Sequence, residues 1–135
     1  MSTLTTTISL SSTSLFPTPV NVVKTVIESI TGSHSSFETA TIASSQSVIL
    51  SEKYEATGDS GIVYFYANSA SSNTTTIDLI LNNHTQDVDV YIARLNPGEV
   101  LYMPLWALDI EGYTLSAENA AGASAALSYF VGSKD

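Results

Sequence analysis

The amino-acid sequence predicts an all-β protein, an antiparallel β-sandwich of about nine short strands preceded by an extended N-terminal arm. Three observations predict it. Apolar side chains recur at every second position over short runs, the period of a strand with one covered face. Clusters of Gly, Pro, Asn, Asp and Ser break those runs at short intervals. Branched residues, Thr above all, stand where a helix would favour straight side chains.

Residues 4–10 alternate, with Leu4, Thr6, Ile8 and Leu10 on one face. Pro17 and Pro19 break any ladder after them, so residues 1–20 read as a mobile arm. Residues 21–30 carry two signals. Asn21 and Gly32 would cap a helix at its two ends, and Val22, Val26 and Ile30 share a face at either period. The β-branched run through Val23, Thr25 and Ile27 decides for a strand, and the sandwich domain is assigned to residues 21–135.

Residues 32–36 read as a turn, 37–42 and 47–51 as strands, and 57–61 as a second turn. Residues 62–68, IVYFYAN, form the central strand. Both alternating sets are apolar or aromatic, as in a strand covered on both faces. After a loop at 69–73, residues 77–81 and 88–94 form a hairpin around 82–86. In it Ile77, Leu79 and Leu81 share one face, as do Val88, Val90 and Ile92. Asn96-Pro97-Gly98-Glu99 is a turn with Pro second and Gly third. Residues 100–103 are a short strand, 104–110 carry the single Trp, Trp106, and 113–118 alternate again. Residues 119–122 turn the chain into a last strand at 123–131. Strands at this spacing fit a jelly-roll or immunoglobulin-like connection, and the absence of a fixed repeat excludes a solenoid or propeller.

The 135 residues make one domain-sized core without cysteine, so neither disulfides nor Cys-type zinc sites are expected. Charged residues are 13% of the chain, with 13 acids against 4 bases and a net charge of −9. The bases Lys24, Lys53, Arg94 and Lys134 form no patch, which argues against nucleic acid and against an anionic membrane. No apolar run approaches the ~18 residues of a membrane span, and residues 1–4 do not resemble a secretion signal. Asn73-Thr74-Thr75 and Asn83-His84-Thr85 match the N-glycosylation pattern as expected by chance in so hydroxyl-rich a chain.

Chemistry finds little support. His34 and His84 stand in Ser- and Asn-rich turns, and no G-x-S-x-G marks a nucleophile. Asp87 and Asp89, two apart on a strand, would share a face about 7 Å apart, room for a cation or a glycosidase pair. A solvated outer face opposite Val88 and Val90 explains them more simply, and Asp109 and Glu111 admit the same two readings. No phosphate-binding glycine loop occurs. The aromatics, from Tyr64, Phe65 and Tyr66 to Tyr129 and Phe130, are assigned first to core and interface packing, with a lectin-like role for Tyr102 and Trp106 a minor reading. No catalytic residue, cofactor or metal is expected.

Four segments carry a resemblance: Thr3-Leu4-Thr5-Thr6-Thr7-Ile8, IVYFYANSA at 62–70, Leu95-Asn96-Pro97-Gly98-Glu99-Val100-Leu101, and YTLSAENAAGASAALSYF at 113–130. In these the chain resembles the small β-sandwich structural proteins of tailed bacteriophages, marine and cyanobacterial ones especially. The resemblance covers residues 61–135 with clarity and residues 1–55 loosely. It implies a non-enzymatic capsid decoration or cement protein on the particle surface, assembled in the host cytoplasm. A neck, tail or fibre component, or a carbohydrate-binding module, is the alternative. Expected partners are the major capsid protein or other virion proteins, with self-association besides. Expected contact residues are Leu4, Ile8, Leu10 and Phe16 in the arm, Pro97, Gly98 and Glu99 in the turn, and Tyr102 and Trp106 beyond it.

Overall fold

The computed structural model describes residues 2–14, 17–30, 36–50, 61–83, 86–109 and 113–134. These residues form ten strands and no helix, in two compact units, Met1–Thr31 and Gly32–Asp135.

The first unit is a hairpin of β1 (Ser2–Ser12) and β2 (Val20–Ile30). The strands pair antiparallel without interruption from Ser2 opposite Ile30 to Ser12 opposite Val20. Residues 21–30 are thus a strand, as their β-branched run predicts. The expected free arm at 1–20 is instead one half of a two-stranded ribbon, and the unit ends after Thr31. Pro17 and Pro19 lie in the connection, where no ladder donor is needed, so they end β1 without keeping it from pairing.

The second unit contains β3 (Ser36–Ile42), β4 (Gln46–Ile49), β5 (Gly61–Ser69), β6 (Ile77–Asn83), β7 (Val88–Leu95), β8 (Val100–Asp109), β9 (Tyr113–Asn119) and β10 (Ala125–Lys134). They form two four-stranded sheets, in the orders β3-β10-β5-β8 and β4-β9-β6-β7. The antiparallel pairs β6·β7, β5·β8, β4·β9 and β3·β10 are nested one inside the next. Cross-pairs β10·β5 and β6·β9 then complete each sheet. A long ribbon folded over in this way is a jelly roll, and of the two connections expected from sequence it is the one adopted.

One core lies between the sheets. Ile42, Phe65, Ala67, Leu127 and Val131 come from the first sheet, and Ile77, Leu79, Leu95, Leu115 and Ala117 from the second. Alternation supplies them: on β10 the inward positions are Ala125, Leu127, Tyr129 and Val131. Polar groups at one end of the core are paired. The Asn119 side chain, fully buried, donates to the carbonyls of Ile42 (3.2 Å) and Ala123 (2.8 Å). Asn73 pairs with the Ala126 backbone in both directions, at 2.9 and 2.8 Å, closing the 69–76 loop against β10.

Several expectations change. On β5 only one face is fully covered: Phe65, Ala67 and Ser69 are buried, whereas Tyr64, Tyr66 and Asn68 are half-buried. Strand β8 runs through Pro104 to Asp109, well past the short strand expected at 100–103. It is an edge strand, where proline costs no ladder bond on the open side. In the β6–β7 hairpin a bulge at Leu79/Ile80 sets Leu79 opposite Ala93 but Ile80 opposite Tyr91. Inward parity on β7 therefore changes from Val88, Val90 and Ile92 to Ala93 and Leu95, which a constant period of two does not foresee. Of the expected turns, residues 32–35 and 57–60 lie outside the described residues, and Ser36 and Gly61 already belong to strands.

Candidate interaction surfaces

The ribbon exposes apolar side chains on both of its faces. Along β1, Leu4, Thr6, Ile8 and Leu10 share a face and stand opposite Glu28, Val26, Lys24 and Val22 of β2, so this face includes one acidic and one basic position. Ile8 is 47% exposed, Leu10 61% and Val22 52%, while Leu4 is half-buried. The reverse face carries Thr3, Thr5, Thr7 and Ser9 on β1 and Val23, Thr25 and Ile27 on β2, with Val23 60% and Ile27 67% exposed and the Thr7 and Thr25 hydroxyls 3.0 Å apart across the ladder. Three of the expected arm contacts, Leu4, Ile8 and Leu10, therefore lie together. The fourth, Phe16, lies outside the described residues. A two-stranded ribbon is marginal in water by itself, and covering its apolar face is what stabilises one.

The turn at Asn96–Glu99 joins β7 to β8. Gly98 has φ +82°, the value that a type II turn requires at its third residue. The Glu99 amide donates to the Asn96 carbonyl (3.0 Å). The Glu99 carboxylate accepts from the Asn96 amide N–H (2.8 Å) and from its side-chain Nδ2 (3.1 Å). Those donors, the backbone one foremost, hold the Glu99 carboxyl below its usual range. Two backbone bonds fix the turn to the end of β5: Gly98 N–H to Ser69 O at 3.0 Å and Ser69 N–H to Glu99 O at 2.9 Å. Glu99 thus spends much of its acceptor capacity on closing its own turn, and Pro97 and Gly98 stay exposed.

Tyr102 belongs to a larger group than the sequence suggests. Phe37 on β3 stands opposite Phe130 on β10, Phe130 opposite Tyr66 on β5, and Tyr66 opposite Tyr102 on β8. The four make an aromatic row across all four strands, on the face turned away from the core. Tyr64 extends it, with its ring 6.4 Å from that of Tyr102 and 12° from parallel. Phe37 is 67% exposed and the others are half-buried. In the neighbouring row the Thr39 and Ser128 hydroxyls lie 3.1 Å apart. None of the described side chains on this face is charged. Trp106 is a β8 position whose side chain falls outside the described residues. Phe37, Tyr66 and Phe130 were not among the expected contacts, because their alignment is a matter of strand register rather than of spacing along the chain.

The outer face of the other sheet carries charged side chains beside the exposed Ile49 and Tyr91. Arg94 grips Asp78 through Nε (2.6 Å) and Nη2 (2.7 Å), and the Asp78 side chain is 6% exposed against 65% for Arg94. The Asp78 hydrogen bond, then its charge, push the Arg94 guanidinium further up. The Tyr91 hydroxyl sits 3.5 Å from Glu118, whose charge raises the phenol. A shallow cavity of about 310 Å³ lies among Asp78, Tyr91, Ile92, Ala93 and Arg94. Asp87 and Asp89 do not form the expected strand pair. Asp87 lies in the turn before β7 at φ 53°, and Asp89 accepts from Asn82 Nδ2 across the ladder. Asp109 ends β8, and Glu111, His34 and His84 lie outside the described residues. Among the described residues no group of three His, Asp or Glu is placed to hold a metal ion.

No protein-family model and no curated protein matches the chain. The crystal structure of the Yersinia pseudotuberculosis-derived mitogen is similar over 75% of this chain and 86% of that one, at 19% sequence identity and a TM-score of 0.49. A likeness at that distance carries no functional conclusion. This chain is a β-rich protein whose larger unit is an all-antiparallel sandwich.

Proposed function

We propose that the protein is a non-enzymatic virion structural component, a capsid decoration or cement protein that binds capsid subunits and stabilises the particle. The observation that carries the reading is the set of exposed apolar side chains on the β1–β2 ribbon, with Ile8, Leu10, Val22, Val23 and Ile27 about half exposed or more. A ribbon of this kind gains by lying against a neighbouring protein. Its outer strand edges also offer main-chain pairing, which supplies affinity, while alternate side chains supply register. Many copies on an ordered shell would hold through avidity even where each contact is weak. The phage-protein resemblance in residues 61–135 supports the same reading. The jelly roll adds support by fold analogy alone, since viral capsid proteins and lectins both use it.

Quantitative mass spectrometry of purified particles tests the proposal. The expected result is a copy number matching the regular sites of an icosahedral shell. Replacing Ile8 and Val22 with lysine is expected to leave the sandwich folded and strip the protein from particles. A protein absent from particles would defeat the proposal, and a copy number of a dozen or fewer would move it to the neck, tail or fibre. The aromatic row favours the carbohydrate-binding alternative, and saturable retention on a glycan array without particle association would establish it.

A further inference from the structure

The aromatic face of the β3-β10-β5-β8 sheet, without charge among its described side chains, points to a second copy of this chain: we infer that two copies associate through it, Phe37–Phe130–Tyr66–Tyr102 against the same row of the partner. This site is built from the second unit's sheet and does not depend on the virion reading.

Charge is the first argument. The chain carries −9, so two copies repel wherever acids line their contact. The outer face of the other sheet holds Asp78, Asp89 and Glu118 against one arginine. The aromatic face has no described charge, and charge depletion with aromatic enrichment is the composition of an interface core. Self-complementarity is the second. A two-fold axis lying between two stacked sheets sets the row over itself, or Phe130 over Tyr66 and Phe37 over Tyr102. Aromatic meets aromatic in both cases. Area is the third. Four strands about 4.8 Å apart and roughly seven residues of rise give a footprint near 400 Å². Side-chain relief raises the accessible area to about 600–700 Å² per copy, close to the ~800 Å² per partner of a standard interface.

Sedimentation equilibrium of the full chain at about 10–200 µM tests the inference. The wild type is expected to show the mass of a dimer. Tyr66→Lys and Tyr66→Glu, each checked for fold by far-ultraviolet circular dichroism, are expected to weaken association at least tenfold. An equimolar mixture of the two is expected to recover it, because both docking modes bring position 66 of one copy near the centre of the other. Tyr91→Lys, on the outer face of the other sheet, is expected to leave association unchanged. A monomeric wild type overturns the inference, whether or not the face retains a glycan or another protein. So does a folded Tyr66→Lys that associates as tightly as wild type, or weakening by Tyr91→Lys alone. If the Tyr66 variants fail to fold, Phe37→Ser decides, since that ring is 67% exposed. An unchanged association constant in that variant overturns the inference, and a weakened one supports it.

Discussion

Replacing Arg94 with alanine is expected to destabilise the sandwich by about 2–3 kcal/mol. The magnitude follows from the asymmetry of the pair. Asp78 is the buried member, its side chain 6% exposed and gripped at 2.6 and 2.7 Å. Removing the partner of a buried charge costs about 3–5 kcal/mol, because the carboxylate stays in place without compensation. Arg94 is 65% exposed, so water already screens part of the attraction and reaches part of the vacated space, which lowers the figure. At roughly 4–8 °C per kcal/mol for a unit of this size, the midpoint of thermal unfolding should fall by about 8–24 °C. Replacing both members, Asp78→Leu with Arg94→Met, should bring stability back to within about 1 kcal/mol of wild type, since no charge is then stranded. Urea titration of wild type, both single variants and the double variant measures the whole cycle. A loss below about 0.5 kcal/mol for Arg94→Ala would refute the reasoning and class the pair with ordinary surface bridges.

Asn119→Ala is expected to cost about 2 kcal/mol, because the buried carbonyl of Ile42 loses a donor that water cannot replace; differential scanning calorimetry reads it. Gly98→Ala should cost about 1–2 kcal/mol from forcing a side chain to φ +82°, seen as a lower urea midpoint at unchanged slope. Glu99 has a folded-state carboxyl held low by Asn96, so its contribution is present above the ordinary carboxylate range and lost as pH falls through the lowered value. The melting-temperature gap between wild type and Glu99→Gln should therefore narrow on acidification, and the carboxyl should titrate by NMR below the ordinary glutamate value of 4.5.

What the sequence discloses depends on how local the cause is. The Pro97-Gly98 turn, the β6–β7 hairpin and the alternation of β9 and β10 are decided by neighbouring residues, and each is readable from the chain. The ribbon is harder, because Pro17 and Pro19 signal an interruption equally well whether the strand before them is free or paired. Val88 to Leu95 misleads further on, since a bulge changes the inward parity and leaves no mark in composition. The aromatic row lies further from view. Phe37 and Phe130 meet only because β10 lies between β3 and β5, and that adjacency joins residues far apart in the chain. Among the expected contacts, Ile8 and Leu10 are legible as an alternating face, whereas Tyr102 is legible only as an isolated ring.

Strand β10 lies inside its sheet, with β3 on one side and β5 on the other. During synthesis these two emerge long before it and must wait with open edges. Half of the jelly roll therefore stays unzipped until residues 125–134 have left the ribosome, and the slow, long-range closure of a β-protein waits for that strand. A stall or cleavage upstream of Ala125 would leave two adhesive strands without their common neighbour. Such a fragment is a candidate for aggregation rather than a smaller working version of the protein.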